Sequence, residues 1–149
     1  MTDPPYCSGG WGRSTMRPTA AKYTNGKSRD TRPGFLGENF DQTTFAEWCE
    51  RWLSQCARIA KPDALRAAFI DFRNYATLYR AAMLAGWTPH SHAVWHKVAG
   101  RPAPVFRDHE HILIFTRGNP AIPGRIKGVL SIPRDRASFV HQTGKPYAL

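Results

Sequence analysis

At 149 residues and 16.8 kDa the chain has the size of one ordinary domain, and its 42% hydrophobic residues suffice for a packed core, which excludes wholesale disorder. Twenty-one Lys and Arg against eleven Asp and Glu leave a formal charge of +10. The expected partner is therefore a polyanion, nucleic acid before a membrane surface, because basic side chains gain by displacing counterions from phosphates. No apolar run approaches the roughly eighteen residues of a membrane span, and Met1-Thr2-Asp3-Pro4-Pro5-Tyr6 is not a basic-then-apolar leader. Cys7, Cys49 and Cys56 are an odd set at no zinc-finger spacing, so a reducing cytoplasm is expected rather than a disulfide framework.

The charge is uneven along the chain. Residues 1–37 carry net +4, residues 38–60 net −2 and residues 61–149 net +8. After Asp3–Cys7, residues 8–37 show no periodicity and are punctuated by glycines, which predicts a long loop. Arg13, Arg17, Lys22, Lys27, Arg29 and Arg32, with Trp11 and Tyr23 among them, suit a nucleic-acid backbone; a lid with no specific contact is the other reading.

Phe45, Trp48, Cys49, Trp52, Leu53, Cys56 and Ile59 then recur at helical spacing, with Thr44 and Glu47 as a capping box and Pro62 past the end. The two cysteines read as packing residues. Leu65 to Phe72 is a compact apolar run of strand length, and residues 74–85 form a second amphipathic helix closed by Gly86. Two strand-like runs follow, His90 to Lys97 and His111 to Thr116, and the remainder from Arg117 reads as Gly/Pro-rich connecting loop. This order predicts an α/β layer. Trp48, Trp52 and Trp87 read as core, and Trp95 is undecided.

Asp3-Pro4-Pro5-Tyr6 is the sharpest feature. Two prolines remove two backbone donors and fix two φ angles, giving a stiff turn whose carbonyls have no obvious partner within the chain. An acid before such a turn and an aromatic after it make a pocket with acceptors on one wall and a stacking face on the other. A flat heterocycle bearing an exocyclic amine would suit it.

DPPY followed by a Gly-rich basic loop resembles the catalytic motif of DNA amino-methyltransferases, which methylate adenine N6 or cytosine N4. Further stretches resemble the phage and prophage branch of that family in the same order: SGG at Ser8–Gly10, CARIAKP at Cys56–Pro62, FIDFRNY at Phe69–Tyr75, AGW at Ala85–Trp87 and VWHK at Val94–Lys97. RP at Arg101–Pro102, HEHILIFTRG at His109–Gly118 and HQTGKP at His141–Pro146 complete the series. The resemblance implies a partial Rossmann-like methyltransferase fold: the catalytic half of the sheet with flanking helices, as one partial domain over residues 1–149. Within it, 1–7 is the catalytic turn, 8–37 the basic loop, 38–118 the α/β core and 119–149 a basic loop and tail.

It further implies that Asp3 and the Pro4 carbonyl accept hydrogen bonds from the amine of a base taken out of the duplex, with Pro5 stiffening the turn and Tyr6 stacking on the base. Methyl would pass directly from S-adenosylmethionine, and the basic loop with Arg101 and Arg107 would hold double-stranded DNA. Two departures stand out. Only Met1 and Thr2 precede DPPY, where the family has an apolar strand, and Leu149 is reached before the family's Gly-rich cofactor turn. Gly10-Trp11-Gly12 does not open a helix and is not read as that turn, so no cofactor-binding residue is assigned. The alternatives are an inactive DNA-binding relic and a fold completed by a second polypeptide or by oligomerisation. His90, His92, His96 and His109-Glu110-His111 show no recognised metal-ligand spacing, so no metal is expected.

Overall fold

The structure, a computed structural model, describes residues 1–7, 40, 42–101, 104–122, 124–125, 127–134, 145–146 and 148–149. The expected long loop and its six basic residues, the Gly10-Trp11-Gly12 triplet and residues 141–144 lie outside the described residues.

Helix α1 spans Gln42–Ile59. Its buried line is the i, i+4 row Phe45–Cys49–Leu53–Ala57, with Trp48, Trp52 and Cys56 half-buried beside it. That row leaves Ile59, expected on the stripe, at its trailing edge and 71% exposed. The helix also begins before Thr44, which therefore sits inside the first turn and not at the cap. Strand β1 (Ala64–Ile70) ends sooner than its apolar run. The Asp71 carboxylate accepts from the Arg73 backbone N–H at 3.1 Å and pairs with the Arg73 guanidinium at 2.7 Å, starting a 3-10 turn over Phe72–Asn74 that turns Phe72 out to solvent.

Helix α2 (Tyr75–Leu84) closes as expected. Gly86 adopts φ +84°, its N–H donates to the Met83 carbonyl at 3.1 Å, and the Trp87 N–H reaches the Ala82 carbonyl at 3.0 Å. These two bonds are the Schellman pair, which needs a left-handed residue between them.

Strands β2 (Thr88–Arg101) and β3 (Arg107–Arg117) are longer than their apolar segments and form an antiparallel hairpin. β3 also pairs antiparallel with β1, and a short β4 (Val129–Ser131) joins β2 in parallel, giving the order β1-β3-β2-β4. β4 is a correction to the reading of residues after Arg117 as loop throughout; three residues carry too little periodicity to be seen in sequence. On the free edge of β1, the Thr2 N–H donates to the Ala67 carbonyl at 2.9 Å and the Phe69 N–H to the Thr2 carbonyl at 3.0 Å, a parallel bridge. The DPPY turn therefore leaves the sheet at the carboxyl end of β1.

The sheet separates two apolar layers. One face packs α1 and α2 against Ala68, Ile70, Leu113 and Phe115, with Trp87 donating its indole N–H to the Leu53 carbonyl at 3.1 Å. The other holds a smaller cluster of Phe69, Ala93, Trp95 and Ile112, closed by Leu130, Ile132 and Leu149. Trp95 is 1% exposed and donates to the Ile132 carbonyl at 2.7 Å, which assigns the undecided tryptophan to this second core. Among the described residues no helix is long and apolar enough to cross a membrane.

Candidate active site

The parallel bridge at Thr2 aims the next five residues over the carboxyl end of β1, the end at which open α/β sheets bind ligands. Pro4 is buried and anchors the turn, while the Asp3 carboxylate keeps 38% of its surface. Cys7, the last described residue of the turn, is a buried non-glycine residue at φ 47°. That conformation is uncommon for a residue with a Cβ and persists only where the surroundings enforce it. Part of the enforcement is visible: the buried Asn74 side chain donates to the Tyr6 carbonyl at 2.5 Å.

Cross-strand register assembles the rest. Trp95 stands opposite Glu110 and Ala93 opposite Ile112, so their side chains share the face that carries the smaller core. Strand alternation puts Lys97 on that face as well, two residues past Trp95, where it is buried. Lys97 Nζ lies 2.7 Å from Glu110 Oε1. Lys145, beside the buried Pro146, places its ammonium 3.0 Å from Glu110 Oε2 and 3.0 Å from Asp3 Oδ2. The Tyr6 hydroxyl sits 2.7 Å from Asp3 Oδ1 and 2.9 Å from Glu110 Oε2, sharing one proton between two carboxylates. Three rings surround the Lys145 ammonium, with centroids at 5.2 Å for Tyr6, 5.0 Å for Phe69 and 5.9 Å for Trp95.

Lys97, Glu110, Lys145 and Asp3 thus form a chain of alternating charge, and the Tyr6 hydroxyl bridges its two carboxylates. Burial raises the Glu110 carboxyl, but Lys145 and Lys97 outweigh it and hold the group below its usual range. Burial pulls Lys97 below the usual lysine value, and attraction to Glu110 recovers only part of that. Burial, then the charges of Glu110 and Asp3, drive the Tyr6 phenol far up, so it remains a donor at any physiological pH. The arrangement presents Asp3 as an oriented, partly solvent-facing hydrogen-bond acceptor above an aromatic floor.

Asp3, Pro4, Pro5 and Tyr6 are therefore gathered in one turn beside these groups. Arg107 is exposed and stands opposite Arg101 in register, closing the open end of the β2–β3 hairpin, where Val105 and Phe106 are also exposed. The sequence reading gives no role to Lys97, Glu110, Lys145 or Asn74. A signal for two of them exists: Lys97 and Glu110 are charged residues in phase with the inward-facing Ala93, Trp95 and Ile112, positions that normally exclude charge unless it is paired.

His92, His96, His109 and His111 lie on the opposite face. His92 Nε2 and His111 Nδ1 are 3.1 Å apart, Tyr75 packs edge-on against both rings, and His96 stands opposite His109. Burial, then the neighbouring His92 and His109, lower the His111 value. Among the described residues no group of three side chains is placed to hold a metal ion.

Comparison with known proteins bears on the fold and the family. The structure is similar to that of M1.HpyAVI in complex with SAM, with TM-score 0.54 and 17% identity over 66% of this chain and 54% of that one. It is also similar to TTHA0409 from Thermus thermophilus complexed with S-adenosyl-L-methionine, with TM-score 0.53 and 15% identity over 70% of this chain and 57% of that one. The chain thus spans little more than half the length of either, and at these identities the likeness establishes the fold. No curated protein matches the sequence. The sequence profile of a family described as DNA methylase matches residues 1–148, so the chain belongs to the DNA methylase family.

Proposed function

We propose that this chain forms the acceptor-side wall of a site-specific DNA amino-methyltransferase, which transfers methyl from S-adenosylmethionine to the exocyclic amine of adenine or cytosine. The observation that carries the reading is the Asp3 carboxylate, oriented by the Tyr6 hydroxyl at 2.7 Å and already receiving a nitrogen donor, Lys145, at 3.0 Å. The target amine in a duplex is inside the stack, so the base must be extruded to reach this turn. Asp3 and the Pro4 carbonyl then accept its two N–H groups and align the nitrogen lone pair. The fixed carboxylate also stabilises positive charge as it develops on nitrogen, without reorganisation. Tyr6 supplies the stacking face.

S-adenosylmethionine supplies an electrophilic methyl group when bound. The described residues fit the amine that receives the methyl. None of the described glycines belongs to a Gly-rich turn opening a helix, so no cofactor-holding residue is assigned. Support for this donor comes from the SAM complexes of both similar structures. The basic segment with Arg101 and Arg107 would hold the phosphates of double-stranded DNA, in the cytoplasm.

The test is transfer of labelled methyl from S-adenosylmethionine to mixed-sequence DNA by this chain, with Asp3→Ala as control. Label that disappears with Asp3→Ala supports the proposal. Salt-sensitive DNA binding without label, from protein that melts cooperatively, overturns independent activity and favours the inactive DNA-binding reading.

A further inference from the structure

The Lys145 ammonium stands where the proposed chemistry needs another nitrogen. It lies over the Tyr6 ring, 5.2 Å from the centroid, and 3.0 Å from Asp3 Oδ2. A base stacked on Tyr6 with its amine donating to Asp3 would bring its own N–H group to that same region. Both cannot be served at once without crowding a cation against an amine that becomes positive during transfer. Lys145 already has a second seat, since Glu110 Oε2 is also 3.0 Å away. Glu110 itself is held in place from the far side by Lys97 at 2.7 Å.

We propose that Lys145 and Glu110 are positioning residues of the acceptor site: Lys145 holds the place of the target amine on Asp3 in the free protein and passes wholly to Glu110 when the base enters. The inference rests on the amine-accepting role of Asp3 given above. Its physical logic is charge compensation. The Asp3 side chain is 38% exposed, and a tethered ammonium beside it, itself ringed by Tyr6, Phe69 and Trp95, keeps the carboxylate and Tyr6 set in the free protein. Handing the cation to Glu110 leaves Asp3 and Tyr6 where they were, so the site needs no rebuilding around the substrate.

The two residues should therefore act in opposite directions. Removing Lys145 frees Asp3 for the base amine, whereas neutralising Glu110 removes the second seat and ties Lys145 to Asp3. The probes are the 5′-monophosphates of deoxyadenosine, deoxycytidine and thymidine, bound to the full chain and followed by the NMR shifts of the Tyr6 ring. Thymidine has a ring and a phosphate but no exocyclic amine. The ratio of affinities, amine-bearing base over thymidine, thus cancels any change in attraction to phosphate.

Lys145→Met should raise this ratio for one of the two amine-bearing bases by about fivefold, the scale of one net hydrogen bond. Glu110→Gln should lower it, and Glu110→Asp should restore it in part. Thermal melting of each variant shows that it is folded, and Lys145→Met keeps the test decisive if Glu110→Gln does not fold. An unchanged or lower ratio in Lys145→Met overturns the inference. The two failures separate through Asp3→Asn. If Asp3→Asn lowers the ratio while Lys145→Met leaves it alone, Asp3 is the amine acceptor and Lys145 is no placeholder. If wild type and Asp3→Asn treat all three nucleotides alike, the amine pocket itself is refuted, and the placeholder with it.

Discussion

Neutralising Glu110 should cost the fold as much as losing a core side chain. Its side chain is 15% exposed and that of its partner Lys97 is 7% exposed, with 2.7 Å between charged atoms. In Glu110→Gln the amide still fills the volume, but Lys97 loses its counter-ion with little access to water, and Lys145 loses one of its carboxylate partners. Breaking a buried pair from one side costs about 3–5 kcal/mol, because the remaining charge is stranded. A loss of about 3 kcal/mol is a large share of the roughly 5–15 kcal/mol that holds a domain together. The assay is urea unfolding of both proteins at pH 7, repeated from pH 3 to pH 10.

The pH dependence has a determined sign. Glu110 has a folded value below its unfolded one, so its contribution is present above the ordinary carboxylate range and lost as pH falls through the folded value. The gap between wild type and Glu110→Gln should therefore close in acid. It should also narrow in alkali, since Lys97, already lowered by burial, sheds its proton and is no longer a stranded charge. Lys97→Met in the Glu110→Gln background should recover part of the loss by replacing the cation with an apolar chain of similar length. A deficit under about 1 kcal/mol, the range of solvated surface pairs, with no recovery by Lys97→Met, would mean that Glu110 and Lys97 behave as a solvated pair.

Three further outcomes follow from separate parts of the molecule. Asn74→Ala leaves the Tyr6 carbonyl without its donor and should lower stability by about 1–3 kcal/mol in denaturant titration; a change within a few tenths would mean the turn is held by other contacts. Burial pushes the Cys49 thiol up to about 12, so iodoacetamide at pH 7.5 should leave Cys49 unlabelled in the folded chain and modify it only in urea, as read by peptide mass; labelling under native conditions would contradict the packing of α1. Arg107→Ala should reduce the slope of log affinity against log salt for duplex DNA by about one, whatever the sequence of the duplex. An unchanged slope would remove Arg107 from the phosphate contacts.

Local chemistry is enough for several elements. The i, i+4 run from Phe45 and the left-handed Gly86 identify both helices, because apolar periodicity and a left-handed C-terminal residue are properties of the chain near each position. The ends are less legible. Asp71 stops β1 by drawing in the Arg73 N–H, so Phe72, the last residue of the apolar run, is exposed. β2 and β3 run past their apolar segments because each supplies the other's hydrogen bonds, which no single strand reveals.

The same division holds at the site. DPPY, the ordered series of motifs and the excess of positive charge are written in the amino acids alone, and they suffice to identify the family and to single out the turn on which the proposal rests. The company Asp3 keeps comes from the packing of distant segments. Glu110 lies 107 positions from Asp3 and Lys145 lies 142 from it, and the parallel bridge at Thr2, the Trp95–Glu110 register and the packing of Pro146 together bring them within hydrogen-bonding distance. Alternation along a strand can mark a charge as inward-facing, but it carries no record of the charge's partner. The partner depends on register, and a shift of one residue in β3 would turn Glu110 to the histidine face and leave Lys97 buried without a counter-ion.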